Sequence, residues 1–113
     1  MEAFGQNCEL VPTLSDYNTR ELRLSLIEEE FSEFKQAIED RDIVDVADAL
    51  TDMLYVIYGA GHSFGIDLDE CFAEVHYSNM SKLENGKPVY REDGKVLKGK
   101  DYFPPNLEEI LGE

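Results

Sequence analysis

The sequence predicts an all-α protein: two long antiparallel helices, a third helix packed across them, and a short C-terminal β-hairpin arm. Three observations carry this. Apolar residues recur at helical spacing through two long segments divided by a short acidic turn. Capping residues and glycines punctuate those segments. After residue 84 the helical period gives way to two short β-prone runs flanking Glu92-Asp93-Gly94. A chain of 113 residues fits one domain, taken as 1–113.

Pro12 and the polar run Thr13–Asn18 read as a loop. Thr19 is the expected N-cap of the first helix, in which Leu24, Ile27, Phe31, Phe34 and Ile38 repeat through to about Glu39. Asp40 to Asp42 forms a turn, with Asp42 capping a second helix from Ile43 to about His62, where Gly59, Gly61 and Gly65 weaken and end it. Asp67-Leu-Asp-Glu70 resembles a capping box that opens a third helix reaching about Leu83, and Asn85-Gly86 stops it. Val89–Arg91 and Lys95–Lys98 are the arms of the hairpin. Beyond Pro104-Pro105, Asn106 caps a last turn containing Leu107, Ile110 and Leu111.

The formal charge of −15 argues against a nucleic-acid polymer as partner, because Lys and Arg hold phosphate backbones. That charge is uneven. Residues 82–100 hold six of the ten basic residues and three of the 25 acidic ones, so this segment carries +3 and the remainder −18. An acidic body with a basic strip suits a small polyanion bridged by cations. Cys8 and Cys71 form no metal-binding pair or disulfide framework, and Cys71 reads as a buried small apolar residue. No leader pattern opens the sequence, and Met53–Gly61 is far short of the ~20 residues of a membrane helix, so a cytoplasmic protein with no membrane partner is expected.

Two carboxylate stripes are the main functional signal. At about 100° per residue, Glu29, Glu30 and Glu33 fall within roughly 100° on the first helix, bordered by Leu22, Leu26 and Ala37. On the second, Asp45, Asp48 and Asp52 fall within roughly 60°, beside Ala49 and Val56. Aspartate is a poor helix former, and like charges at i,i+4 cost ~0.2–0.5 kcal/mol per pair. One such stripe is ordinarily a solvated face. Two on consecutive antiparallel helices point to a hard cation between them, and the absence of His favours Mg²⁺ or Mn²⁺ over zinc. His62 and His76 lack the Glu-x-x-His spacing of di-iron bundles and read as structural.

Leu26-Ile27-Glu28-Glu29-Glu30-Phe31-Ser32-Glu33 followed by Asp45-Val-Ala-Asp48-Ala-Leu-Thr-Asp52-Met-Leu-Tyr55-Val resembles the Glu-Glu-x-x-Glu … Glu-x-x-Asp metal signature of the MazG-like, phosphoribosyl-ATP pyrophosphohydrolase-like superfamily. The likeness runs on through Phe72–Lys82 and Arg91–Gly99 to Tyr102-Phe-Pro-Pro105, covering roughly residues 20–106. One position departs: Ala49 stands where the signature has its second-half Glu, and Asp48 is the nearest acid.

The resemblance implies that Glu29, Glu30, Glu33, Asp52 and Asp48 hold two or more Mg²⁺ (or Mn²⁺) ions, with Glu30 chosen as general base. The implied reaction is hydrolysis of a (deoxy)nucleoside triphosphate at the α-phosphorus to monophosphate and pyrophosphate. It also implies a homodimer or homotetramer of four-helix-bundle type, consistent with apolar faces such as Met53, Leu54 and Ile57 that need cover. Asn79 reads either as a buried, partnered Asn or, with Lys82 one turn away, as a substrate contact; Arg91 adds a planar fork for phosphate. Lys95 and Lys98 stay open between substrate binding and solubility, and Lys87 and Lys100 read as solubility. Tyr55 and Tyr58 fit core or interface positions, with Tyr55 also a candidate substrate contact, and Phe4 a candidate for base stacking. The reading from a different class is a non-catalytic helical module that binds metal or a partner.

Overall fold

The computed structural model describes residues 8–112; Phe4 lies outside them. The chain divides into two compact units, Met1–Ile66 and Asp67–Glu113. The first is a helical hairpin of α1 (Tyr17–Glu39) and α2 (Ile43–Phe64). The second holds α3 (Leu68–Met80), a two-stranded antiparallel hairpin of β1 (Val89–Tyr90) and β2 (Val96–Leu97), and α4 (Leu107–Leu111). Helix predominates, as the periodicity predicted, with the small hairpin in the expected place.

α1 begins two residues before the expected cap. Asp16, not Thr19, is the N-cap: its carboxylate accepts the Thr19 N–H at 2.8 Å, which holds its pKa below the usual aspartate range. Thr19 is instead a buried residue of the first turn. The turn between the helices behaves as expected, with Asp42 accepting the N–H groups of Val44 and Asp45 at 3.0 and 3.2 Å. Arg41 takes the left-handed conformation (φ 55°) that a three-residue reversal requires.

α2 outlasts its internal glycines because they are buried and packed, and it stops at Gly65 (φ 67°). Its last carbonyls, which no intrahelical N–H can reach, are taken up by the chain on either side. Glu9 N–H donates to His62 O (3.0 Å), Thr13 N–H to Phe64 O (2.8 Å), Ser15 Oγ to Ser63 O, and Ile66 N–H to Gly61 O (2.8 Å). Residues 9–15 therefore run against the end of α2.

Among the described residues, the buried apolar side chains are Ala37 and Ala49, while Thr19, Arg23 and Ser63 are buried polar ones. The most deeply buried side chains of the helical hairpin are thus small or polar, with Leu26, Ile27, Phe34, Met53 and Val56 half-buried. Phe31 and Ile38, part of the apolar repeat read along the first helix, are about half exposed, with Lys35 Nζ lying 5.6 Å from the Phe31 ring centroid. Leu54 and Ile57 are also exposed and Met53 is half-buried.

In the second unit Asp67 caps α3 by accepting Glu70 N–H (3.0 Å). α3 ends at Met80, three residues short of the expected Leu83, and closes in a tight turn. Asn85 (φ 53°) and Gly86 (φ 75°) make the two-residue reversal that their sequence favours, bridging Glu84 and Lys87. β1 and β2 pair with Val89 opposite Leu97 and Tyr90 opposite Val96. Asn106 caps α4 through Glu109 N–H at 3.3 Å. No helix among the described residues is long and apolar enough to cross a membrane.

A Cβ at position 65 would stand 2.1 Å from the Val11 carbonyl oxygen, besides requiring a left-handed backbone. Gly65→Ala is expected to cost more than the ~1–2 kcal/mol of the left-handed conformation alone. Gly65→Asn, which tolerates that conformation, should lose nearly as much in urea unfolding; recovery by Asn would assign the whole cost to φ.

Candidate metal centre

Glu30 and Glu33 are one turn apart on α1, and Asp52 faces them from the middle of α2. One carboxylate oxygen from each lies within 4.8 Å of the others. At that spacing, each pair of full charges would repel by at least about 3.5 kcal/mol at an effective dielectric near 20. The chain answers with a proton: desolvation raises Glu30 to about 7, aided by a hydrogen bond with Glu33 and the charges of Glu33, Asp52 and Glu29. Glu30 Oε2 is nonetheless buried with no hydrogen-bond partner. A buried acceptor without a donor is the group a cation would satisfy.

A second feature adjoins this cluster. Glu33, Asp40, Asp45, Asp48 and Ala49 line a cleft beside the α1–α2 turn. Asp45 is held above the usual aspartate range, chiefly by Asp42, then by desolvation, with Asp48 and Asp40 adding. Glu33 belongs to both features.

Of the carboxylates expected to bind metal, Glu30, Glu33 and Asp52 therefore converge. Asp48 is exposed on the adjoining cleft, and Glu29 is exposed and acts on Glu30 through its charge. Ala49 is 4% exposed, so the departing position points into the helix contact with a methyl group where the signature has a carboxylate. Tyr55 is exposed on α2.

The other candidates belong to the second unit. Asn79 is exposed, which sets aside the reading of a buried, partnered Asn. Arg91 is engaged within its own turn: its Nε donates to Asp93 Oδ1 at 2.9 Å and its Nη2 to Asp93 Oδ2. That contact pushes Arg91 up and Asp93 down in pKa. Lys95 donates its backbone N–H to Asp93 at 3.1 Å and leaves its side chain exposed. Lys82 and Lys98 each place Nζ near the ring of Tyr102, at 5.9 and 4.9 Å from the centroid. Cys71 is half-buried, and burial pushes its thiol up.

Two residues were given no role by the sequence, Tyr102 being named there only within the resembling block. Arg23 is 3% exposed on α1 and lies seven residues before Glu30, hence on nearly the same face. The spacing Arg23, Glu30, Ala37 was the available signal. Tyr102 had no periodic signal at all.

A helical hairpin with inward carboxylates defines an all-α, acid-lined class of protein. The phosphoribosyl-ATP pyrophosphohydrolase family model matches residues 1–79, which include all of α1 and α2, and the chain belongs to that family. It is also 47% identical over 93 residues to an uncharacterized protein of Acanthamoeba polyphaga mimivirus, covering 81% of this chain and 34% of that protein. The chain thus spans about a third of that relative's length.

The raised pKa of Glu30 has a sign. In the unfolded chain this group titrates near 4.5 and in the native protein near 7, so the native state binds its proton more tightly. The stability it contributes is complete below pH 4.5 and is lost as pH rises through about 7. Melting in EDTA should show this loss, and Glu30→Gln should flatten it. An EDTA profile identical in wild type and Glu30→Gln would contradict it.

Proposed function

We propose that this chain hydrolyses a nucleoside triphosphate, or a nucleotide carrying the same triphosphate ester, at the α-phosphorus, releasing a nucleoside monophosphate and pyrophosphate. Family membership supports pyrophosphohydrolase chemistry. The observation that carries the reading is the Glu30–Glu33–Asp52 convergence with its unsatisfied Glu30 oxygen.

The donor set is all carboxylate oxygen, which suits Mg²⁺ or Mn²⁺. Glu30, Glu33 and Asp52 are the residues that would hold a first ion, with Asp48 and Glu29 available to a second. When bound, such ions supply positive charge for the phosphates and lower the pKa of a coordinated water.

The remaining work falls to the chain's own groups. A water oxygen bonds to the α-phosphorus as the bond from that phosphorus to the bridging oxygen breaks, and the electron pair leaves with pyrophosphate. Glu30 takes the water's proton. Its raised proton affinity, from desolvation and then from Glu33, Asp52 and Glu29, suits a base near neutral pH. The hairpin contributes position, since α1 and α2 hold the acids on rigid backbone. Lys82 and Lys98 have the charge to neutralise phosphate oxygens, and Asn79 is exposed and able to donate to them.

Ala49 supports the second reading, a helical module that binds metal without turnover. A panel of deoxynucleoside and nucleoside triphosphates with Mg²⁺ or Mn²⁺ in ¹⁸O-water distinguishes the two. Label in the monophosphate is expected; release of inorganic phosphate, or label in pyrophosphate, would overturn the proposed reaction. Glu33→Gln should reduce turnover by at least ~10²-fold and keep its helical circular dichroism. A folded, fully active Glu33→Gln would remove the metal centre from the mechanism.

We further infer a homodimer or homotetramer, because Leu22, Leu24, Leu50, Leu54 and Tyr58 on the helical hairpin are each more than 40% exposed. An apolar surface of that extent ordinarily marks an interface. Sedimentation at micromolar concentration should return at least twice the chain mass of 12.9 kDa. A monomer that melts at a concentration-independent temperature would exclude it.

A further inference from the structure

α3 is apolar on two sides, and its own unit uses only one of them. At about 100° per residue, Leu68, Cys71, Val75 and Ser78 fall within roughly 80° of one another, and all four are buried or half-buried. Phe72, Ala73, His76, Tyr77 and Met80 fall within roughly 140° on the other side, and all five are exposed. Phe72 is 72% exposed, Tyr77 64% and Met80 50%. A helix that is apolar nearly all round is ordinarily covered on both sides. The outward face is also held in shape from behind. Ser78 donates its hydroxyl to the Phe103 carbonyl at 2.7 Å, and Phe103 N–H donates to Ser81 Oγ at 3.1 Å. The Phe103 ring thereby stands 5.1 Å from that of Tyr77 and extends the patch.

Size and charge together point to what covers it. Two aromatic rings and a methionine, each half exposed or more, present roughly 300–400 Å² of apolar surface. A patch of that size marks an interaction site, yet it is under half of the ~800 Å² per partner that a stable complex buries. It fits an added contact inside an oligomer better than a lone docking site for a foreign protein. The charge is polarised along the helix. Asp67, Asp69 and Glu70 stand at its start, while the segment 82–100 that follows its end carries +3. Two such helices packed in parallel would set acid against acid; packed antiparallel, each acidic start meets its partner's basic end. The apolar face is self-complementary in the same sense. Phe72 and Met80 lie four residues to either side of His76. A two-fold axis at His76 brings Phe72 of one copy level with Met80 of the other and sets the two His76 residues against each other.

We propose that the outward face of α3 pairs antiparallel with the same face of a second copy, across a two-fold axis at His76. This contact deepens the homo-oligomer reading above and rests on it: the helical hairpin supplies the larger interface and α3 a smaller one.

The test is sedimentation velocity of the whole chain beside disulfide trapping. Phe72→Glu and Met80→Lys each put an unmatched charge into the contact, and each should weaken association at least ~10-fold while circular dichroism stays helical. Mixing the two variants should restore association to within about threefold of wild type, because the mixed pair keeps one native Phe72–Met80 contact and gains one Glu–Lys pair. His76→Cys should form a disulfide with its own second copy under mild oxidation, since a residue on the axis meets itself. Mass spectrometry of the 76–76 peptide separates that link from any through Cys8 or Cys71. Met80→Cys should form no such link, because the two copies of position 80 stand about 12 Å apart along the helices. The cysteine variants decide the matter even where a charged variant does not fold. An undiminished mass in Phe72→Glu, a mixture no better than either variant alone, or absence of the 76–76 link would each overturn the pairing. A Phe72→Glu that keeps its mass and raises KM for the triphosphate would give this face to the substrate instead. Leu54→Glu separates the two interfaces. Assembly lost in Leu54→Glu and kept in Phe72→Glu retains the hairpin interface and removes that of α3. Assembly kept in Leu54→Glu and lost in Phe72→Glu does the reverse, and a wild type that stays monomeric removes both.

Discussion

Three carboxylates brought within 4.8 Å of one another on facing helices are the constraint around which the first unit is arranged. Their repulsion, at least about 3.5 kcal/mol per fully charged pair at an effective dielectric near 20, opposes the very contact that makes the helical hairpin. Something must offset it. In the chain by itself that is a proton on Glu30, and the price is a buried Oε2 with no hydrogen-bond partner. A divalent cation would serve every oxygen at once and release that proton, so metal affinity and native stability are two expressions of one imbalance.

The same constraint explains what surrounds the acids. A face that must admit Glu30, Glu33 and Asp52 cannot also interdigitate Phe31 and Ile38, which point elsewhere on α1 and remain about half exposed. The most deeply buried side chains of these helices are small, Ala37 and Ala49, or polar, Thr19, Arg23 and Ser63. Such a hairpin buries little apolar surface per residue. A typical fully buried Leu or Phe contributes ~1.5–3 kcal/mol, and few of this unit's large side chains collect it within the unit. Its apolar surface is therefore directed outward, and the α2 end is held instead by backbone hydrogen bonds from residues 9–15.

Local chemistry was legible and non-local chemistry was not. The caps at Asp42, Asp67 and Asn106, the Asn85-Gly86 reversal and the hairpin turn at Gly94 each depend on residues within four positions of one another, and the sequence displays them. The cap at Asp16 was missed because Thr19 also satisfies the local rule; a longer helix with an extra turn prevailed. The acidic stripes were read as a shared site, and Glu30, Glu33 and Asp52 of those stripes lie together; periodicity placed Phe31 and Ile38 on the side of α1 away from the glutamates without saying which face meets its neighbour. Lys82 and Lys98 each come near the Tyr102 ring beside the ties of Ser78 and Ser81 to Phe103, contacts that span more than twenty residues and leave no pattern in the sequence.

Position 49 shows how the departure from the family's signature fits this arrangement. A carboxylate there would join Glu30, Glu33 and Asp52 from one turn before Asp52, adding a further charge to a cluster that already needs a proton. Ala49 instead supplies one of the two buried apolar side chains among the described residues, so losing the acid lowers repulsion and lets the helices approach. The negative charge reappears next door: Asp48 lies on the cleft that Glu33 shares, with Asp40 and Asp45 beside it. Glu33, itself exposed, is then the one carboxylate common to the half-buried Glu30 and Asp52 and to the open cleft. Mg²⁺ gives up water reluctantly, and a site with an exposed carboxylate at its edge suits an ion that keeps part of its own water.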